Sequence, residues 1–511
     1  MRERNDVMKK QLIASLLLLS LLLPMLFASC SEGGAADESA SAEPAPADAA
    51  PTAETEPETE ADVLAALGEH DFGGENFVVL CRTIQDSDTF NEVDIESDGG
   101  DIVDDAIFRR NAELNERYNV KIEALRTNGN WPARDNFLTV MKKSVMASDG
   151  AFDLILGYQA YMSTVDVMEC LCNFLEVDGI DLDADYYYRD IIRESTLNDK
   201  LYYLAGDFTY SVWPSMLVYF FNKGMAESYN LEDLYSLVRE GKWTLDKLME
   251  LSTGVYVDQN GDGAKDKSDS FGFATDFGNI ADAYYAAFDI KLTVRDDAGV
   301  PQMNRNLEKL DAVITKLYTF EHDTNDVYTF VMMSNMTDNP LADIFVDNRA
   351  LFYPERLKSA IDFRGIEMNF GILPYPKWDE SQSIYHSQAW NGYSVMAIPK
   401  DARNLEKTAV MTGALNAASK QQVIPAFYDK ALKVKFTRDE ESADMLDIIR
   451  DGISFQFGYF YSQTINDGCN PWRIRDILNS GESITRVYRQ YSRKLEKNLG
   501  VLLDFFYGAN E

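Results

Sequence analysis

The sequence predicts an α/β protein of two lobes joined by a multi-strand hinge, and three observations carry this. Residues 77–157 alternate strand and helix patterns. The stretch Leu201–Met225, LYYLAGDFTYSVWPSMLVYFFNKGM, then holds a strand apolar on both faces, placed where the chain turns mostly helical. A second β-rich block at 349–400 gives the chain a way back to the first lobe after it has left it.

Taken in order, FVVLCR (77–82) reads as a strand, and Asp101–Tyr118 as a helix with Ile102, Ala106, Ile107 and Leu114 on its apolar side. VKIEAL (120–125), Arg134–Met146 and FDLILG (152–157) repeat the alternation as strand, helix and strand. Strands separated by helices imply a parallel sheet under helical cover. Ligands of such sheets sit beyond the carboxyl ends of strands, which puts Gly157, Tyr158, Gln159 and Tyr161 at a cleft edge. Gly206-Asp207 and Pro214 divide 201–225 into a short strand, a turn and MLVYFF, which should be covered on both faces. Leu231–Arg239, Leu245–Leu251 (with Thr244 as N-cap) and Leu307–Phe320 read as helices. RALFYPE (349–355), NFGILPYP (369–376) and AWNGYSVMAIPK (389–400) form the returning block, and the chain from Leu405 to Tyr507 is mostly helical. The expected divisions are a leader at 1–30, a tether at 31–62 and a first lobe at 63–213. A second lobe at 214–345, a return to the first at 346–402 and the second again at 403–511 complete the chain.

A formal charge of −36 weighs against nucleic acid, whose phosphates need basic contacts. It also gives no attraction to anionic lipid, and suits a neutral or cationic ligand or simply keeps the protein soluble. With three histidines, His70, His322 and His386, a Cys/His metal site is not expected. Cys81, Cys170, Cys172 and Cys469 are expected to be buried free thiols, with one disulfide to Cys469 as the alternative.

Residues 1–30 have a basic start, an apolar run from Leu12 to Phe27, and small residues before Cys30, the layout of a secretory leader. The run is too short for a comfortable membrane span. Phe27-Ala28-Ser29-Cys30 resembles a bacterial lipobox, with Phe27 where Leu is usual; that resemblance makes Cys30 the lipidated mature N-terminus and places the body outside the cytoplasm. Residues 31–62 carry acids, Pro, Ala, Ser and Thr with no base, cannot bury enough surface to fold, and should form an extended leash of at most ~100 Å.

From about residue 75 to 511 the chain resembles the extracellular solute-binding proteins of ABC importers, in the family that includes maltose- and alginate-binding proteins. The residues that carry the resemblance are FDLIL in the third strand, LVYFFNKGM, GKWTLDKLMELS (241–252), FVDNRALFYP (345–354) and NFGILPYPK (369–377), in the family's order behind a lipobox. The resemblance implies a two-lobed Venus-flytrap fold of the type II periplasmic-binding class, a monomer that closes on a carbohydrate, an oligosaccharide among the expected ligands, and passes it to membrane permease subunits. A surface-tethered glycan-degrading enzyme, and a peptide or lipid binder on the same fold, are the rival readings. No GxSxG, HExxH, P-loop or GxGxxG occurs, and no catalytic residue is assigned.

Sugars offer C–H faces to aromatic rings and hydroxyls to polar side chains. Tyr158, Tyr210, Trp213, Tyr353, Trp390 and Tyr393 are the candidate rings, and Gln159, Asp207, Glu355, Arg356 and Asn391 the candidate polar partners. Trp213 and Tyr353 are expected near one another, with Trp390 approaching from the same side. Trp243 and Trp472 are expected to be packing residues. Residues 258–269 place Asp258, Asn260, Asp262, Asp266 and Asp269 at positions 1, 3, 5, 9 and 12 of a loop, with Gly263 at position 6 and the Ala264 carbonyl at 7. Calcium takes six to eight oxygens, and this spacing wraps them round one point. Asp269 stands where Glu is usual, and a structural Ca2+ is the expected cofactor.

Overall fold

The strand patterns of 77–157 gather into one sheet and those of 217–373 into another. The computed structural model describes residues 63–84, 90–96, 99–276, 278–330, 339–436, 439–466 and 473–508. The leader, Cys30, the tether, Cys469 and Trp472 lie outside these residues.

In the first sheet β1 (Glu75–Arg82) pairs in parallel with β2 (Val120–Thr127) and with β3 (Leu154–Tyr158). Alternation along β1 sends Phe77 and Val79 to one face, where they pack with Leu114 and Tyr118 of the helix Ile102–Tyr118, and Leu80 to the other. That helix starts where the Asp101 side chain accepts the Val103 N–H and ends at Asn119 in the left-handed region.

The second sheet holds β4 (Leu217–Asn222), β5 (Phe271–Asp276), β8 (Val327–Phe330), β9 (Ala350–Arg356) and β10 (Phe370–Leu373), in the order β10-β4-β9-β5-β8. A small hairpin of β6 (Thr293–Arg295) and β7 (Pro301–Met303) stands apart. Every residue of β4 is buried, as its two-sided apolar pattern requires. β9 runs two residues beyond the expected end at Pro354. Its pairing with β5 is recorded only at Ala350 and Phe352, while its pairing with β4 continues through Arg356, so the missing N–H of Pro354 interrupts no recorded bond to β5. Thr244 caps the helix Leu245–Ser252 as expected, and Trp243 is fully buried with its indole N–H on the Pro374 carbonyl at 2.8 Å.

Four expectations are corrected. The short strand expected after Leu201 is reduced to two isolated bridges, Leu204 against Met396 and Gly206 against Tyr187, the second closed by Ala205 and Asp207 on the backbone of Tyr188 and Tyr186. The return at 346–402 is narrower than expected: β9 and β10 flank β4 in the second sheet, and the returning strand is β11 (Ser394–Ala397), antiparallel to β3. The helix Leu405–Ala418, expected in the second lobe, packs on the first sheet. It is buried from Lys407 to Ala418, and the Lys407 ammonium bonds the Asn76 carbonyl at 2.8 Å and Glu75 at 3.1 Å. Of the expected buried thiols, Cys81 is buried, whereas Cys170 and Cys172 are half-buried; all three are free.

The chain therefore crosses between the sheets at 206–216, at 374–393 and again beyond 418, where wide π-type turns cover Ser419–Val423 and Pro425–Phe436. These turns start against the helix Ile102–Tyr118, where Arg110 donates to the Ser419 hydroxyl at 3.0 Å. They lead to the helix Glu440–Asp451, whose Ser442 hydroxyl accepts the Ile372 N–H of β10. The last helix, Ile484–Tyr507, packs on β7, yet its final carbonyls are bonded by the first lobe's Asn198–Lys200 turn. Lys200 Nζ reaches the Phe505 and Phe506 carbonyls at 3.2 and 2.6 Å, and Asn198 Nδ2 reaches Phe506 at 2.9 Å.

Candidate functional site

β1, β2 and β3 run in parallel, so their carboxyl ends, Arg82, Thr127 and Tyr158, lie together beside the start of β11. The carboxyl ends of β5, β8 and β9 likewise gather Asp276, Phe330 and Arg356 in the other sheet. The candidate site is the set of side chains that these two rims bring together across the crossing segments.

On the first rim Arg82 is buried and donates to the Asn130 amide oxygen at 3.4 Å, the Gly392 carbonyl at 3.0 Å and the Ser394 hydroxyl at 3.3 Å. Its guanidinium lies over the Tyr158 ring, 4.9 Å from the centroid. Tyr158 also meets Tyr161, Trp390 and Trp131 at 5.4, 5.8 and 6.0 Å between ring centres. Behind them Glu92 is buried and accepts the Ser211 N–H at 3.0 Å. Burial pushes its carboxyl up, while hydrogen bonds from Ser211 and Ser394 and the charge of Arg82 pull it back.

On the second rim Arg356 lies over the Trp390 ring at 4.5 Å, and its Nε is 3.3 Å from Glu355 Oε1. The Tyr353 hydroxyl donates to Glu355 Oε2 at 3.2 Å. Asp276, at the end of β5, is buried, and desolvation followed by the charge of Glu355 raises it to about 7, against the Gly278 N–H, Arg475 and Arg356. Tyr459 precedes Phe460, whose carbonyl accepts the Gln159 amide, and its hydroxyl is pushed well up by burial and then by Asp282, with lesser contributions from Arg475, which opposes them, and from Tyr393 and Tyr158. That hydroxyl is buried with no hydrogen-bond partner.

Of the residues expected from sequence, Tyr158, Glu355, Arg356 and Trp390 come together here. Asn391 is buried beside them, its carbonyl on the Ala160 N–H. Gln159 is buried and spends its amide on the Phe460 carbonyl at 2.7 Å, a structural bond. Tyr393 is buried against Phe455, and the Tyr353 ring packs on Phe345 at 5.4 Å. Trp213 and Tyr210 are buried and pack on Tyr428 and Phe427 of the third crossing, at 5.0 and 5.3 Å. The expected meeting of Trp213 and Tyr353 is thus one of neighbouring segments, through the Lys358 N–H on the Pro214 carbonyl, and the rings turn to different partners. Asp207 faces Lys420 and Asp185, and burial raises it to about 7.

Sequence reasoning missed Arg82, Glu92, Trp131, Asp276, Tyr459 and Arg475. Arg82 and Asp276 were within reach, because each ends a strand by the rule that picked out Tyr158. A pocket of about 680 Å3 lies elsewhere, on the first lobe's outer side, lined by Leu67, His70, Tyr186 and Val410 among others. Charged and aromatic groups from both lobes converge at the strand ends and not at this pocket.

In the loop 258–269 both oxygens of Asp258 accept backbone N–H groups, from Gly261 at 2.7 Å and Gly263 at 2.9 Å. Asp262 accepts the Ala264 N–H, Asp266 the Ser268 N–H, and the buried Asp269 those of Gln259 and Asp266. Gly261 and Gly263 have φ of 72° and 75°, which a side chain would strain. Among the described residues no group of three or more His, Cys, Asp or Glu side chains is arranged to hold a metal ion.

No family profile matches the chain, and no curated protein sequence aligns with it significantly. Solved structures do share its architecture. An ABC substrate-binding protein from Listeria monocytogenes in complex with cycloalternan superposes with a TM-score of 0.53 at 12% identity, over 84% of this chain and 100% of that one. This is the two-lobed solute-binding fold. The maltose-binding periplasmic protein MalE from Listeria monocytogenes, in complex with maltose, shares that fold with a TM-score of 0.53 and 14% identity, over 83% of this chain and 98% of its own. UgpB from Mycobacterium tuberculosis, in complex with glycerophosphocholine, shares it with a TM-score of 0.50 and 13% identity over 84% and 99%. No described helix of the present solute-binding fold is long and apolar enough to cross a membrane.

The environment of Asp276 makes a pH prediction. Its folded pKa is raised from the ordinary 3.8 to about 7, so the native state holds a proton that the unfolded chain releases. Its contribution to stability is complete below about pH 4 and declines as pH rises to about 7. Asp276→Asn should remove that decline and exceed the wild type by on the order of 2–4 kcal/mol at pH 7.5. Urea midpoints at pH 4.5 and 7.5 measure this, and parallel pH slopes for the two proteins would count against it.

Proposed function

We propose that this chain is a lipid-anchored, extracytoplasmic solute-binding protein that captures a carbohydrate and delivers it to the permease of an ABC importer. The observation that carries the reading is the meeting of Tyr158 and Trp390 with Arg356 and Glu355 where the strand ends of two sheets face each other. Rings that can stack on a sugar and groups that can bond its hydroxyls come from both lobes, so closure completes the site. The fold supports the reading, since proteins that share it are described as bound to cycloalternan and to maltose. The protein is assigned no reaction and returns its ligand unchanged.

A thermal-shift screen of gluco-oligosaccharides, with glycerophosphocholine and peptides as rivals, tests the ligand class. A carbohydrate at 100 times its dissociation constant should add ~2.7 kcal/mol of stability, and Trp390→Ala should weaken it about ten- to hundredfold on the scale of aromatic stacking. A shift from a rival alone would replace the ligand class, and a carbohydrate recovered cleaved would make the protein an enzyme.

We propose lipid anchoring on the Phe27-Ala28-Ser29-Cys30 tetrad behind its basic, apolar leader. Mass spectrometry of membrane-extracted protein should find an acylated Cys30 as the first residue; an unprocessed Met1 terminus would remove the anchor.

For 258–269 we propose a structural calcium ion, supported by the oxygen spacing and by the left-handed Gly263 at position 6. Weighing against it, the carboxylates already bond the loop's own N–H groups and do not gather about one point. A chelator should lower the melting temperature, and Asp262→Ala should abolish that response. An unmoved melting curve would leave the loop an acidic turn closed by its own backbone.

A further inference from the structure

The ring proposed to receive a sugar is already covered. A methyl group built on Gly392 would lie 2.1 Å from Trp390 Cζ3 and 2.5 Å from both Cε3 and Cη2. Such short and nearly equal distances to three adjacent ring atoms place Gly392 above the ring and not at its edge. Glycine here gives the indole a flat seat on backbone. The Arg356 guanidinium lies over the same ring at 4.5 Å, and Tyr158 meets it at 76°, edge to face. Arg356 belongs to β9 of the second sheet, and Trp390 to the crossing that enters the first, so the stack joins the lobes. Neither charge of the Glu355–Arg356 pair is deeply buried: their side chains are 17% and 20% exposed. The guanidinium can therefore leave the ring without stranding a charge in a dry interior.

A guanidinium is planar and weakly hydrated and stacks on aromatic faces. The C–H face of a pyranose seeks the same surface. We propose that Arg356 is a displaceable cap on Trp390, which holds the stacking position while no ligand is bound and yields it to a sugar. The inference rests on the carbohydrate reading of this site. Released from the ring, Arg356 keeps Glu355 as its counter-charge through Nε and swings clear of the ligand. The cap sets a threshold. A ligand binds only if its stacked face and hydroxyls outweigh the guanidinium, so small polyols with no flat C–H face are rejected and ring sugars are admitted. It also holds the lobes together before any ligand arrives.

Two variants test this, Arg356→Ala and Arg356→Gln, the second retaining most of the side chain's length and a planar polar end without charge. In ligand-free protein, acrylamide quenching of tryptophan fluorescence is compared with and without Trp390→Ala, which isolates the Trp390 contribution. Both variants should make Trp390 more quenchable. Maltotriose is the binding probe, and both variants should bind it about two- to fivefold more tightly, the factor by which a partly exposed cation–π contact favours the capped state. Unchanged Trp390 quenching in both variants overturns the cap. So does weaker maltotriose binding by both, which would make Arg356 a direct ligand contact. If maltotriose binds none of the proteins, that failure falls on the proposed ligand, and the quenching comparison still decides the cap.

Discussion

The structure depends on β4 being bonded along both edges by strands that run against it. A six-residue strand with every side chain buried cannot sit at the margin of a sheet, where one edge and one face would meet water. β9 and β10 supply the two edges, and they lie more than 120 residues further along the chain, with β5 and β8 filled in between. Placing β10 leaves the chain on the second lobe, from which it must cross again to add β11 to the first sheet. The three crossings follow from that requirement, and so does the gathering of Trp390 and Arg356 at the junction.

Most of this order is legible in the sequence because apolar periodicity and turn residues are local signals. Strands β1 to β4 and the helices around them appear within a few residues of their places. What periodicity does not encode is which sheet a strand joins. RALFYPE has the composition of a strand for either lobe, and only its pairing with β4 decides. The helix Leu405–Ala418 shows the same limit: its apolar residues are spread around the helix with no single apolar face, so its sequence does not name the surface that buries it. For the site, strand ends were readable as positions, whereas the choice between ligand contact and packing was not. Trp213 and Trp390 look alike in sequence. One is buried on Tyr428 and the other rests on Gly392 under a guanidinium from the far lobe, differences made by side chains more than 30 residues away in each case but the glycine.

The chain carries 84 acidic against 48 basic residues, yet its junction is not a field of exposed negative charge. Glu92, Asp276 and Glu321 are buried, and burial raises all three carboxyls. The shift favours the neutral form of each carboxyl and so lessens the repulsion among them. Three arginines, Arg82, Arg356 and Arg475, offset what charge remains. The net charge of −36 keeps molecules apart in solution.

The Asn198–Lys200 turn that caps the last helix has a consequence for how the protein comes into being. A chain delivered from its amino end exposes β3 long before Ser394–Ala397 arrives to cover its edge, and the first lobe's inner helix comes later still. The turn waits about three hundred residues for the carbonyls of Phe505 and Phe506, which are the last of these partners to arrive. Contacts this distant in sequence make closure late and slow. A nascent chain therefore completes this last contact between its lobes only when nearly its final residue has been delivered.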